Sequence, residues 1–398
     1  MRNFANMKQT ITTLLIFLSA FCATADNTVT ISMITTAQGR QIYELEGHAA
    51  MRITVGDSID CVINWGLFDF SAPNFVGRFV SGETDYMCGA VPTDYFLYCY
   101  KKEGRTVYEQ KLDIPQDVAR KILDLVNKNL TPPNNVYRYN YIKNNCATQP
   151  MDIVEKALGQ KLVYQDYMPE ISTYRQAMDY YHQNYPWYQF GIDIALGCGI
   201  DHQISPREKV FAPTMLTHLL ASATYTIDGK QKKIVSTTVI YGDENADITC
   251  SSTPWRQSPM CVAIVILALA AIVTVYDLRR KAVSLWLDTI IYVPVILCSL
   301  LLTFLIFKST HEATSPNFNY LWLSPVSIAI LPLMWINKSK MLAVSPILLN
   351  FVCLIAYLIV ISIGIQTANP AFPPIVIALL LRSYTYLHIA RWQRKNKN

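Results

Sequence analysis

Long apolar segments are concentrated after residue 258, and they constrain the fold more than any other feature of the chain. Five of them cover about residues 259–276, 284–307, 320–336, 341–364 and 373–390. Their lengths suit helices that cross a hydrocarbon core of about 30 Å, although Pro325 and Pro332 interrupt the third. The sequence therefore predicts a five-helix transmembrane bundle over residues 259–390, preceded by a domain of ordinary globular composition.

Basic residues flank the predicted helices on one side only. They form clusters at 279–281, 338–340 and 391–397. The loops on the opposite side, 311–319 and 366–374, contain no Lys or Arg. Because positively charged loops remain in the cytoplasm, we expect residues 391–398 to be a cytoplasmic tail and the preceding domain to be outside.

The N-terminus has the layout of a secretory signal. Residues 1–25 begin with basic side chains, continue with an apolar run over 11–21 and end in Ala23-Thr24-Ala25. An A-x-A sequence at this place is typical of signal-peptide cleavage, and an uncleaved anchor is the alternative. We therefore expect a periplasmic domain over 26–258, carried on the inner membrane of a Gram-negative-type cell.

The charge and the motifs exclude several classes of function. Much of the net charge of +5 lies in the clusters beside the apolar segments, which indicates topology and no nucleic-acid partner. There is no HExxH, paired CxxC, GxGxxG or P-loop sequence, so we expect no metal and no cofactor. Arg52 and Arg138 either bind an anionic group or pair with carboxylates.

The predicted bundle carries few charged residues. Asp277 and Asp288 fall at the ends of predicted helices, where we expect their carboxylates to reach water. An anchor is the interpretation that this pattern favours, with a substrate-gathering or lipid-presenting bundle as the alternative.

The predicted outer domain mixes strands with helices, which indicates an α+β fold. A hairpin is predicted about Gly56-Asp57. Strand patterns cover residues 28–35, 43–54, 59–65, 94–101 and 105–111, and helical patterns cover 113–129, 146–158, 173–185, 188–196 and 213–224.

Cys146 lies where a short strand over 137–141 leads through a turn into a helix. Asn144 and Asn145 before it are residue types that cap helices. The positive end of a helix favours a thiolate, so the sequence predicts an anionic, nucleophilic sulfur here. The alternative is that Cys146 forms half of a disulfide in an oxidising compartment.

His48 is the candidate base for this thiol, because its small neighbours leave the imidazole accessible. Folding the hairpin about its turn sets His48 opposite Asn64 or Trp65. Asn64 would then orient the ring as the third member of a Cys, His, polar triad, with Asp69 as the other candidate. A structural histidine is the alternative.

Several sequence segments resemble the Lnb N-terminal periplasmic domain family. They include Gly47–Ile53, Asn64–Phe70, Pro73–Phe75 and Asn144–Thr148, and the similarity continues through 174–213. The tail, with His311, Pro316–Trp322 and Pro325, is similar to the five-helix membrane unit that accompanies this domain.

The order of a His-bearing strand and then a Cys-bearing helix is also similar to circularly permuted papain-like thiol enzymes. That resemblance implies a permuted papain-like α+β domain followed by the five-helix bundle. It implies Cys146 as nucleophile, His48 as base and Asn64 as orienting residue. Asn64 stands where the acyltransferases of that group commonly have a second His.

Together these features predict a membrane-anchored periplasmic hydrolase or acyltransferase. It would act on ester or amide bonds of a membrane lipid, a lipoprotein or another cell-envelope substrate through an acyl-enzyme. The alternative from another class is a non-catalytic, chaperone-like protein for envelope binding or assembly.

Overall fold

The computed structural model describes most of the chain. The described residues are 28–68, 73–245, 252–336 and 342–396. The predicted signal peptide over 1–25 and the candidate Asp69 lie outside the described residues.

The chain divides into two compact units. The sheet unit contains Met1–Phe79, Glu83–Tyr181 and Gln203–Cys250, and the helical unit contains Val80–Gly82, His182–His202 and Ser251–Asn398. Residues 182–202, which the sequence analysis assigned to the outer domain, thus belong to the same unit as the predicted membrane helices.

An antiparallel sheet of seven strands in the order β6-β4-β3-β2-β1-β5-β9 organises the sheet unit, and β7 and β8 form a separate hairpin. The central strands are almost wholly buried because helices cover the sheet. The strands are β1 (Val29–Thr36), β2 (His48–Val55), β3 (Ile59–Leu67), β4 (Asp85–Pro92), β5 (Val107–Leu112), β6 (Val136–Arg138), β7 (Thr224–Ile227), β8 (Lys230–Lys233) and β9 (Val235–Tyr241).

The described residues form twelve α-helices, of which the first five and the seventh belong wholly or mainly to the sheet unit. They are α1 (Phe75–Ser81), α2 (Thr93–Glu103), α3 (Gln116–Leu130), α4 (Thr148–Leu158), α5 (Tyr174–His182), α6 (Pro186–Ala195), α7 (Pro213–Ser222), α8 (Pro259–Arg280), α9 (Leu285–Phe307), α10 (Val326–Ile336), α11 (Val344–Ser362) and α12 (Phe372–Lys395). The long helix α3 buries Val118, Ile122 and Val126, whose spacing of four places them on one helical face.

The predicted strand over residues 94–101 is wrong. Helix α2 occupies this segment, beginning after Pro92 and ending where Gly104 adopts a left-handed conformation with φ 73°. Its aromatic residues favour strands by propensity, but Phe96 packs on the core residue Val62 from a helix. The preceding strand β4 takes the place beside β3 instead.

Five segments of the helical unit are long and apolar enough to cross a membrane. They correspond to α8, α9, α11, α12 and the span Phe318–Ile336, which ends in α10. The third predicted span is therefore present, and a short 3-10 turn at Phe318–Leu321 precedes its helix. The structure agrees with the predicted α+β domain followed by five apolar helices.

Buried amides hold α6 to the other helices of the helical unit. The Asn319 side chain donates to the Asp193 carbonyl at 2.7 Å, and the Asn369 side chain donates to the Asp193 carboxylate at 2.8 Å. The Asn317 side chain donates to the Ile194 carbonyl at 2.9 Å. The bonds from Asn319 and Asn317 satisfy carbonyls in the last turn of α6, which have no partner within the helix itself.

A buried ion cluster joins three helices of the same unit. Arg382 on α12 donates to Asp288 on α9 at 2.7 and 3.0 Å and to Asp277 on α8 at 2.8 Å. All three side chains are at most 1% exposed. The expectation that the two carboxylates reach water is wrong, because an arginine from a distant part of the sequence pairs with them inside the bundle.

We predict that Arg382→Met destabilises the bundle strongly. Removing one partner of a buried ion pair leaves uncompensated charge, which costs about 3–5 kcal/mol. Thermal unfolding of the full-length protein in detergent measures the effect, with the exposed Arg391→Met on the same helix as the control. Equal melting temperatures for the two variants would contradict a stabilising role for the cluster.

Candidate active site

Cys146 lies in a rigid turn between β6 and α4. The Asn145 side-chain oxygen accepts hydrogen bonds from the backbone N–H groups of Ala147 and Thr148, both at 2.9 Å. The Asn145 amide nitrogen donates to the carbonyls of Tyr141 at 2.7 Å and Phe211 at 2.8 Å. Asn145 therefore caps the helix and fixes the backbone immediately before the cysteine.

The Cys146 side chain is buried and is a free thiol. It does not form a disulfide, which was the alternative interpretation of this cysteine. Gly66 on β3 lies close to this cysteine. A Cβ atom added to Gly66 would be 3.8 Å from the Cβ atom of Cys146 and 3.4 Å from the Tyr139 ring. Because Gly66 has φ +92°, its lack of a side chain both permits this backbone and leaves space at the sulfur.

His48 and Asn64 lie together, as the hairpin predicts. The His48 Nε2 and Asn64 Oδ1 atoms are 3.1 Å apart. The register pairs Asn64 directly with Ala50, so His48 is a diagonal neighbour on the same face and not the directly opposite residue. An amide oxygen only accepts, so Nε2 carries the proton and Nδ1 presents a lone pair.

The start of β2 lies against the cysteine. The backbone N–H of Ala49, the residue after His48, donates to the Cys146 sulfur, and the Tyr139 hydroxyl donates to it as well. The structure therefore brings the cysteine next to the strand that carries the histidine. Of the three predicted site residues, His48 contacts Asn64, and Cys146 contacts the backbone of the residue that follows His48.

Burial controls the protonation of both reactive groups. It raises the pKa of the Cys146 thiol to about 11, although the Ala49 N–H and the Tyr139 hydroxyl act in the opposite direction. Burial also lowers the pKa of His48 to about 4, against the smaller effect of the Asn64 hydrogen bond. At pH 7 the site therefore holds a neutral thiol and a neutral imidazole.

The expectation of an anionic sulfur at a helix end is wrong. The first free N–H groups of α4, those of Ala147 and Thr148, bond to Asn145. They are thus not available to stabilise a thiolate, and desolvation of the sulfur outweighs the remaining donors.

Two charged residues near the site were not predicted. Glu46 is 8% exposed, and Arg105 is 4% exposed and donates to Thr36 at 2.9 Å and to the Ala37 carbonyl at 3.0 Å. The charge of Arg105 helps to lower the pKa of His48. Glu46 could have been found from its place two residues before the histidine, whereas Arg105 carries no local signal.

Carboxylates account for the two arginines that the sequence analysis singled out. Arg52 pairs with Asp60 at 2.6 Å and with Glu109 at 2.8 Å. Arg138 pairs with Asp85 at 2.9 Å. Of the two alternatives given for these residues, ion pairing is the one that the structure contains.

A row of aromatic rings, called here the aromatic ladder, leads from the thiol to the surface of the sheet unit. Tyr139 stacks on Tyr86 at 4.3 Å, and Phe68 lies 5.1 Å from Tyr86. Phe75 follows at 5.9 Å and Phe79 at 6.2 Å. The last ring is 49% exposed, so the ladder is a row of ring contacts that runs from Tyr139, which contacts the thiol, to the surface.

No group of three or more His, Cys, Asp or Glu side chains is arranged to hold a metal ion among the residues that the structure describes.

The fold is that of a membrane protein with an α+β domain in which a buried thiol, that of Cys146, lies against the strand that carries His48. Residues 22–180 match the Lnb N-terminal periplasmic domain, and residues 251–394 match the Lnb transmembrane domain. The chain belongs to this family and is a membrane protein whose N-terminal domain is periplasmic, which confirms the predicted family and the predicted α+β domain with a five-helix membrane unit. No curated protein and no solved structure matches it.

We predict that Gly66→Ala destabilises the sheet unit. A side chain at φ +92° strains the backbone, and strain of this kind costs about 1–3 kcal/mol. Thermal unfolding of the full-length protein measures the change. The control is Gly191→Ala on α6, where an added Cβ meets no atom within 4 Å. A Gly66→Ala variant as stable as the control would contradict the backbone strain expected at this residue.

Proposed function

We propose that the protein is a thiol hydrolase or acyltransferase that acts on ester or amide bonds of a lipid, a lipoprotein or another cell-envelope molecule. Cys146 is the nucleophile, His48 the base and Asn64 the residue that orients the base. The observation that carries the proposal is the hydrogen bond from His48 Nε2 to Asn64 Oδ1 at 3.1 Å, beside a buried free thiol. It leaves Nδ1 as the available base.

The proposed reaction begins from the neutral pair. The proton of the Cys146 thiol moves to His48 Nδ1 as the sulfur attacks the substrate carbonyl carbon. Backbone N–H groups near the cysteine stabilise the oxyanion. His48 then returns the proton to the leaving alcohol or amine, and a thioester remains.

Release of the acyl group repeats the exchange in reverse. Water or a second acceptor attacks the thioester carbonyl and gives its proton to His48. The sulfur leaves and recovers a proton from His48, which restores the neutral thiol. Water yields a free acid, and another acceptor yields the transferred acyl product.

The high proton affinity of the thiol makes the base necessary. A pKa of about 11 leaves a thiolate fraction of roughly one in ten thousand at pH 7. Attack by a preformed thiolate would thus be slow, whereas transfer of the proton during attack avoids that penalty. The low pKa of His48 leaves the imidazole unprotonated at pH 7 and so able to accept the proton, but an imidazole of low pKa accepts it less readily than an ordinary one.

The proposed substrate class rests on two features. The protein is anchored in a membrane, and for a membrane-anchored enzyme we favour a lipid or another envelope component over a cytosolic substrate. The aromatic ladder packs apolar rings from Tyr139, beside the thiol, to the exposed Phe79, and apolar side chains suit a hydrocarbon chain better than a polar one.

The proposed topology follows the charge distribution. We infer a signal peptide at 1–25, a periplasmic domain at 26–258, the bundle at 259–390 and a cytoplasmic tail at 391–398. The basic clusters on one side of the bundle support a cytoplasmic C-terminus in the inner membrane.

A non-catalytic envelope binding or assembly protein is the second candidate function. The exposed apolar face of α1, with Val76 at 73% and Phe79 at 49% exposure, favours it, because exposed apolar patches often bind other molecules. In that case Cys146 would be an inert buried thiol.

We predict that His48→Ala slows alkylation of Cys146 by iodoacetamide at pH 7 roughly 100-fold, because a positioned base contributes at least about this factor. Mass spectrometry of the labelled peptide gives the rate. The control is His202→Ala, which removes an exposed histidine of the helical unit. Equal, slow labelling in all three proteins would favour the binding protein.

We also predict a thioester on Cys146. Incubation with an activated long-chain acyl ester should add one acyl group to the wild-type protein, and hydroxylamine should remove it. Cys146→Ala should remain unmodified although the buried thiol of Cys88 is intact. An acyl adduct that persists in Cys146→Ala would contradict the assignment of the nucleophile.

A further inference from the structure

A buried carboxyl group lies beside the candidate site and has no role in the reaction described above. Glu46 is 8% exposed. One of its carboxyl oxygens, Oε1, has no hydrogen-bond partner in the described part of the chain. Buried polar atoms are nearly always paired, so an unpartnered carboxyl oxygen at this place requires an explanation.

The backbone fixes Glu46 immediately before β2. Its carbonyl accepts a hydrogen bond from the Thr214 N–H at 3.1 Å. The next residue, Gly47, has φ +80°, and a Cβ atom there would lie 2.3 Å from the Thr36 carbonyl oxygen. Only glycine therefore fits, and this turn sets the carboxyl close to the strand that carries His48.

Neutral titratable groups surround the Glu46 carboxyl. The Tyr141 hydroxyl donates a hydrogen bond to it. Its charge acts on the thiol of Cys146 and on the hydroxyls of Tyr139 and Tyr181. Burial raises the pKa of Glu46 to about 7, and the Tyr141 hydrogen bond opposes this effect only in part.

We propose that Glu46 is a positioning residue that controls how readily Cys146 loses its proton. As a neutral acid, Glu46 permits negative charge to develop on the sulfur. As a carboxylate, it opposes that charge. The inference rests on the proposed function, because it takes Cys146 as the nucleophile.

The direction of the pH dependence follows from the like charges. Below about pH 7 the Glu46 carboxyl is neutral and leaves the thiol unaffected. Above that pH its negative charge adds to the effect of burial, which is the larger cause of the raised pKa of the Cys146 thiol. At pH values below its pKa, a simple thiol reacts ten times faster for each unit by which the pH rises. The labelling rate of Cys146 should rise by less than tenfold per pH unit between pH 6 and 8.

The test is the pH profile of Cys146 alkylation in the full-length protein. Glu46→Gln keeps the shape of the side chain but cannot ionise. Its labelling rate should equal that of the wild type at pH 6 and exceed it roughly tenfold at pH 8.5, because a neighbouring like charge shifts a pKa by about one unit. Superimposable profiles would overturn the proposal.

Glu109→Gln is the matched control. Glu109 is equally buried at 8% exposure, but its carboxylate pairs with Arg52 at 2.8 Å and accepts from Tyr241 at 2.9 Å. Its profile should follow the wild type. A change as large as that of Glu46→Gln would show a general effect of lost acidity and would overturn the proposal.

Infrared spectroscopy of the wild type provides a second measurement, which does not depend on the folding of a variant. A protonated carboxyl band should be present at pH 6 and should disappear with a midpoint near 7. A fully ionised carboxyl population at pH 6 would overturn the proposal.

The alkylation profile is separable from the acylation test of the proposed function. If Cys146 forms no thioester but the profiles differ as described, the enzymatic function fails and the control by Glu46 stands. If the thioester forms and the profiles coincide, the enzymatic function stands and the control by Glu46 fails.

Discussion

The hydrogen bond between His48 and Asn64 is the interaction on which the candidate site depends. It links the neighbouring strands β2 and β3, with His48 Nε2 and Asn64 Oδ1 3.1 Å apart, and it determines which imidazole nitrogen carries the proton. Since an amide oxygen cannot donate, the other nitrogen is left as an acceptor. A histidine without this partner would be free to adopt either tautomer. Its position near the cysteine would then not determine which nitrogen can accept a proton.

Burial is the second constraint, and it acts on the thiol and the imidazole in opposite directions. The pKa of Cys146 rises to about 11 and that of His48 falls to about 4. Both shifts favour the neutral form, so the site rests without an ion pair. Asn145 reinforces this state because it occupies the helix N–H groups that would otherwise stabilise a thiolate. Proton transfer therefore has to accompany the attack.

Local patterns in the sequence were sufficient to predict the parts of the fold that depend on interactions between residues close together in the chain. The apolar lengths predict the five spans, and the turn at Gly56-Asp57 brings Asn64 close to His48. The helix α2 was missed because its aromatic residues resemble a strand, and only packing of Phe96 in the core decides otherwise. Arg382 could not be assigned to Asp277 and Asp288, because nothing local to either carboxylate indicates a partner on the last helix.

The resting protonation of the pair is the central claim, and nitrogen NMR of imidazole-labelled protein tests it most directly. The account predicts that at pH 7 the His48 ring is neutral, with its proton on Nε2, and that Cys146→Ala leaves this spectrum unchanged. An imidazolium signal at pH 7 that becomes neutral in Cys146→Ala would reveal a thiolate–imidazolium pair and would contradict the account.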